Sequence, residues 1–99
     1  MDLYLALTRN AFESLDELSS ATELSIVESE KAGSGVRWIR GYVLAEENER
    51  LGAACLYEAT SPEAIRTQAV GGLVVDEIIP VADTVIVRPD PIATDVPGP

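Results

Sequence analysis

The sequence predicts an α+β domain in which four strands and two helices follow in the order β-α-β-β-α-β. Three observations carry this expectation. Residues 2–8 alternate Leu3, Leu5 and Leu7 with Tyr4, Ala6 and Thr8, the period of a strand. Two patterned runs, 36–44 and 50–58, flank the polar turn Glu46-Glu47-Asn48-Glu49, as in a β-hairpin. Two stretches, one at Asn10 and one at Ser61-Pro62-Glu63, carry the chemistry of helix starts.

Asn10 as a cap, with Glu13 three residues later, predicts a first helix over about 11–31. Phe12, Leu15, Leu18, Leu24 and Val27 supply its near-helical apolar spacing, Lys31 its last turn and Gly33 its stop. Six acids precede Lys31 with no base among them, which reads as a solvated negative face. In the second strand, Val36, Trp38, Arg40, Tyr42 and Leu44 are expected to share one face. The third is rich in small residues, from Gly52 through Cys55, which lets a helix pack closely. The second helix offers Ala64, Ile65 and Ala69 as its apolar face and stops at Gly71-Gly72. The last strand is expected over 77–87, at an edge or with a bulge, because Pro80 lacks a donor. Right-handed crossovers then place both helices on one face of an antiparallel sheet, the ferredoxin-like split βαβ sandwich. The other face stays uncovered, and a homodimer is expected to bury it.

The domain is read as residues 1–88, followed by a Pro-rich tail over 89–99 that holds four of the six prolines. The tail is expected to be extended, either free or packed on a partner subunit. With no export signal in view and one cysteine, the expected location is cytoplasmic. No charge-free run is long enough for a membrane span. Seventeen acids against seven bases give a net charge of −10, which repels phosphate backbones and argues against nucleic acid.

The chain has no histidine, so Ser-His-Asp and Cys-His catalysis are excluded, and so are imidazole metal ligands. One cysteine excludes an intrachain disulfide and a Cys-x-x-Cys site. No phosphate loop or nucleophile motif appears. Cys55 has two readings, a metal ligand or nucleophile, or a small buried hydrophobe. Trp38 is either core or a stacking platform for a ligand. Arg40, between Trp38 and Tyr42, either binds an anionic ligand or pairs with Glu58 across the hairpin. Glu58 and Glu63 flank a helix start, where capping alone explains an acid.

The stretch Val36-Arg37-Trp38-Ile39-Arg40-Gly41-Tyr42-Val43 resembles the V-x-W-x-x-S-Y-V signature of the DUF4242 family, also labelled nickel-binding or nickel-responsive. Residues 55–66, from Cys55-Leu56-Tyr57-Glu58 to Ile65-Arg66, are similar to its C-x-Y-E-A-P-S-P-E-A-I-R run. Gly72-Leu73-Val74-Val75-Asp76-Glu77-Ile78 is similar to its closing block. Gly41 stands where the family has Ser, Thr60 where it has Pro, and Gln68 where it often has His. The resemblance implies a ferredoxin-like fold, a dimer and a nickel ion. The donors it implies in this chain are Cys55, Glu58 and Gln68.

Two function classes follow. The first is a small non-catalytic binding or sensing protein for a metal ion or a small molecule. The alternative is an enzyme or small-molecule carrier of the dimeric α+β barrel kind, with a pocket between sheet and helices. The ligand-binding candidates are Trp38, Arg40, Tyr42 and Tyr57; none is assigned a catalytic role.

Overall fold

A computed structural model describes residues 1–68 and 74–90. Four strands, β1 (Asp2–Phe12), β2 (Val36–Ala45), β3 (Leu51–Ala59) and β4 (Glu77–Pro80), form one antiparallel sheet in the order β2-β3-β1-β4. Helices α1 (Leu15–Ser29) and α2 (Pro62–Gln68) complete the ferredoxin-like α+β arrangement that the element order predicted. Among the described residues, no helix is long and apolar enough to cross a membrane.

The core lies between the sheet and the helices. Tyr4 and Ala6 of β1, Cys55, Tyr57 and Ala59 of β3, and Val36 of β2 cluster with Ile65 of α2 and Val75. A second cluster joins Phe12 to Leu18 and Ala21 of α1. Because side chains alternate across a strand, Leu3, Leu5 and Leu7 fall on the opposite face with Leu56 and Ile79. Among the described residues, that face carries no helix.

The first helix starts later than the sequence suggested. β1 passes an irregularity between Thr8 and Phe12 and re-pairs Phe12 with Leu51, which buries the phenyl ring. Asn10 sits in this irregularity at φ 50, a left-handed conformation that Asn tolerates better than most residues. It is not a cap. Ser14 caps α1, accepting from the Glu17 backbone N–H at 3.1 Å, while Glu17 reaches back to the Glu13 N–H at 3.1 Å. The helix ends at Ser29, with Glu30 as its C-cap, ahead of the expected stop at Gly33.

The face that α1 buries also differs from the expected one. Leu18, Ala21, Ser25 and Ser29 point inward, whereas Leu15, Leu24 and Val27 stay exposed. α2 begins as expected, with Ser61 Oγ accepting from the Ala64 N–H at 3.2 Å and Ile65 fully buried. Its expected features at Ala69 and Gly71-Gly72 lie outside the described residues, as do tail residues 91–99.

β4 is an edge strand, and Pro80 is its last residue. It spans four residues rather than the expected 77–87; residues 81–90 lie outside the strand, with Val85, Ile86 and Val87 on the surface. The hairpin turn is a short 3-10 segment, Glu47–Glu49, with Asn48 at φ 60. Glu46, just before it, is held by Arg9 through Nη2 at 2.6 Å and by the Asn10 N–H at 2.7 Å. A Cβ at Gly52 would collide with that carboxylate and come within 2.6 Å of the Thr8 carbonyl.

Candidate functional site

The decisive local event is a bulge in β2. Trp38 pairs with Tyr57 and Arg40 with Leu56, so Ile39 has no partner on β3. One extra residue reverses the facing of everything after it. Val36 and Trp38 therefore face the helices, as do Gly41 and Val43 beyond the bulge, while Arg40, Tyr42 and Leu44 face the open side. The sequence expectation of one face shared by Trp38, Arg40 and Tyr42 is corrected on this point. The four ligand-binding candidates separate into two pairs.

Trp38 and Tyr57 form the first pair, with ring centroids 5.4 Å apart and planes tilted by 33°. The Trp38 indole Nε1 donates to the Arg40 carbonyl at 2.9 Å, folding the ring back along its own strand. Gly41 leaves room for it: a Cβ there would stand 3.3 Å from Trp38 Cζ2 and 3.4 Å from Cys55 Sγ.

Arg40 and Tyr42 form the second pair, and each donates to Asp90 Oδ2 at 2.6 Å. These two donors hold the Asp90 carboxyl below the usual carboxylate range, Tyr42 foremost. The predicted Arg40–Glu58 pair does not form. Glu58 instead accepts from Arg37, its direct cross-strand neighbour, at 2.8 Å.

Between α1 and β2 lies a cleft of about 840 Å³. Its floor is Trp38, Gly41, Val43, Ala53 and Cys55, and Leu18, Thr22, Ile26 and Ser29 of α1 form its wall. Gly41 and Val43 are exposed even though they face the helix side, because α1 does not reach across the outer half of β2. Cys55 is buried at the back of the cleft. Burial pushes its thiol up to about 11, with the nearby Tyr57 hydroxyl pulling weakly the other way, so it is a neutral thiol at pH 7. Burial likewise raises the Tyr57 hydroxyl.

The implied metal donors do not assemble. Cys55 and Gln68 lie on the helix side near Tyr57, and Gln68 is buried with Nε2 donating to the Ile65 carbonyl at 3.3 Å. Its Oε1 makes no hydrogen bond of ordinary geometry. Glu58 stands on the opposite side of the sheet with Arg37. Among the described residues, no three His, Cys, Asp or Glu side chains come together in a way that could hold a metal ion.

Sequence reasoning missed Thr22, Ile26, Gly41 and Val43. The available signals were a glycine three residues after Trp38 and next to Tyr42 within a strand, and an isoleucine off the main helical stripe.

The sequence matches the profile of a family described as nickel responsive protein SCO4226-like, over residues 7–81. The chain belongs to this SCO4226-like family. The crystal structure of SCO4226 from Streptomyces coelicolor A3(2) superposes with a TM-score of 0.64 at 22% identity. The alignment covers 84% of this chain and 99% of that one, a likeness of fold. No curated protein matches the sequence at a significant level. The SCO4226-like match spans β2, β3, α2 and β4, and thus both Trp38 and the cleft floor.

Proposed function

We propose that this chain is a small, non-catalytic binding or sensing protein whose ligand site is the cleft between α1 and β2. The observation that carries this reading is the platform of Trp38 over Gly41 at the cleft floor, an aromatic face held open by an absent side chain. An apolar concave site with a few polar groups at its rim is the form that small-ligand sites take. Burial keeps the titratable group at its back, Cys55, a neutral thiol at neutral pH, which supports a binding role over a nucleophilic one.

The family name associates its members with nickel, and the donor set here fits a nickel ion poorly. Late divalent ions of the first row favour imidazole and thiolate, and this chain offers no histidine and one buried neutral thiol per subunit. Nickel association in this member therefore reads as weak carboxylate binding. The uncovered leucine face suits burial in a homodimer, and the free thiol suits a reducing, cytoplasmic setting.

The single tryptophan of the chain makes the test direct. Trp38 fluorescence is titrated with the apolar anion 8-anilinonaphthalene-1-sulfonate, using tag-free protein. Saturable energy transfer, lost in Thr22→Phe, which fills the cleft from its helix wall, is the expected result. Transfer unchanged in Thr22→Phe places the probe elsewhere and overturns the reading.

A further inference from the structure

β2 is an edge strand, and consecutive residues from Val36 to Val43 line one side of the cleft. Its ladder phase is legible from the hairpin end. The Glu46 N–H donates to the Arg50 carbonyl at 2.9 Å, and alternation from that pair turns the N–H and C=O of Gly41 and Val43 outward, away from β3. At the other end, Ser34 Oγ accepts from the Val36 N–H at 3.2 Å while its own proton goes chiefly to the Ser29 carbonyl at 2.7 Å, so the outward donor of Val36 is already taken. Among the described residues the open stretch is therefore Trp38 to Val43, beside the Thr22 and Ile26 wall of α1. A long edge with exposed Ile39 and Val43 is a template for strand addition.

Charge selects the occupant. Three of the seven cations of a chain with net charge −10 border this groove, Lys31 from the end of α1 and Arg37 and Arg40 from the open side of the β2 edge, with Glu30 as the one acid among its described lining residues. Asp90, from a stretch outside helix and strand, already rests on Arg40 and Tyr42 at 2.6 Å. All three cations already hold an acid of this chain, and the Arg40–Asp90, Arg37–Glu58 and Lys31–Glu28 pairs are partly exposed, so each can exchange its carboxylate for another.

We propose that the groove between α1 and β2 docks an extended acidic peptide segment of a partner protein, which adds as a strand to the Gly41–Val43 edge and places carboxylates on Arg37 and Arg40. This rests on the cleft as the binding site and names its occupant. Main-chain pairing would supply affinity, and the cleft floor and rim specificity.

The test uses the acetylated peptide Val-Glu-Val-Asp-Val and its lysine counterpart Val-Lys-Val-Lys-Val, with Trp38 fluorescence and amide hydrogen exchange as readouts. The acidic peptide should bind about tenfold or more tighter, weaken as salt rises, and slow exchange at Gly41 and Val43. Val43→Pro removes one outward donor without touching the β3 ladder and should abolish this protection. Arg37→Glu, a surface change, should reverse the preference. Equal binding of both peptides, or no slowing at Gly41 and Val43, overturns the proposal. If the naphthalene probe still binds in that case, the cleft reading survives; if it also fails, both fall. Slowing of the same amides without peptide, rising with protein concentration, would assign the edge to a second copy and equally overturn it.

Discussion

The Trp38 indole lies over Gly41, and the missing Cβ of Gly41 is what lets it lie there. The contact links the bulge, the cleft floor and the buried thiol, because Cys55 Sγ would be the next atom that a side chain at position 41 met, at 3.4 Å. Gly41→Val is expected to cost roughly 1–3 kcal/mol by overpacking. It should also red-shift Trp38 emission as the ring is displaced toward water. Chemical denaturation followed at 222 nm and by fluorescence measures both.

Cys55→Ala is expected to fold and to cost about 1 kcal/mol, since the site is already built from small residues. The pH dependence has a definite sign. Folding raises the thiol from an ordinary value near 9.0 to about 11, so its contribution to stability is complete below the lower value and is lost as pH rises toward the upper one. Thermal melts should show a falling Tm between these two values, and Cys55→Ala should flatten part of that fall. The raised Tyr57 hydroxyl acts in the same direction and accounts for the remainder.

Ser14→Ala should lower stability by about 1 kcal/mol, because Ser14 holds the Glu17 N–H at the start of α1. Asn10→Gly should be neutral or stabilising, since φ 50 suits glycine. Paired thermal melts separate the two. A large loss from Asn10→Gly, with none from Ser14→Ala, would return the helix start to Asn10.

Nickel binding by tag-free protein is expected to be micromolar at best and unaffected by Cys55→Ala. Isothermal calorimetry is the measurement, because a histidine tag would supply the imidazoles that the chain lacks. A stoichiometric submicromolar site, lost in Cys55→Ala, would show that two subunits assemble what one does not.

Sedimentation at about 10 µM, well above the dissociation constants of stable dimers, is expected to show a homodimer. Leu5→Glu places a charge in the middle of the open face, beside Leu56 and Ile79, and should shift the species to monomer. A monomer for the unmodified chain would leave the leucine face without the partner proposed for it.

The element order, the hairpin, the Ser61-Pro62 helix start and the edge position of β4 were legible in the sequence. Each depends on residues within a few positions of one another: strand alternation, a cap beside a proline, a missing donor. Asn10 and Ser14 both had the chemistry of a cap. The choice between them came from Phe12, whose burial against Leu51 kept the chain in β1 past the first candidate.

The candidate site was legible as residue types but not as an arrangement. Trp38, Arg40, Tyr42 and Tyr57 were named from the sequence, yet strict alternation put the first three on one face. The unpaired Ile39 divides them, and its position depends on where β2 meets β3, a pairing across a hairpin that periodicity does not register. For the same reason, Glu58 went to Arg37 and Arg40 found Asp90. What the sequence determined by itself is the kind and order of the elements and the absence of imidazole chemistry, because local spacing and composition are complete in one dimension. Only the tertiary structure decided which face of each element is buried, where the cleft opens and which charges meet, because strand register and helix seating are set by partners distant in the chain.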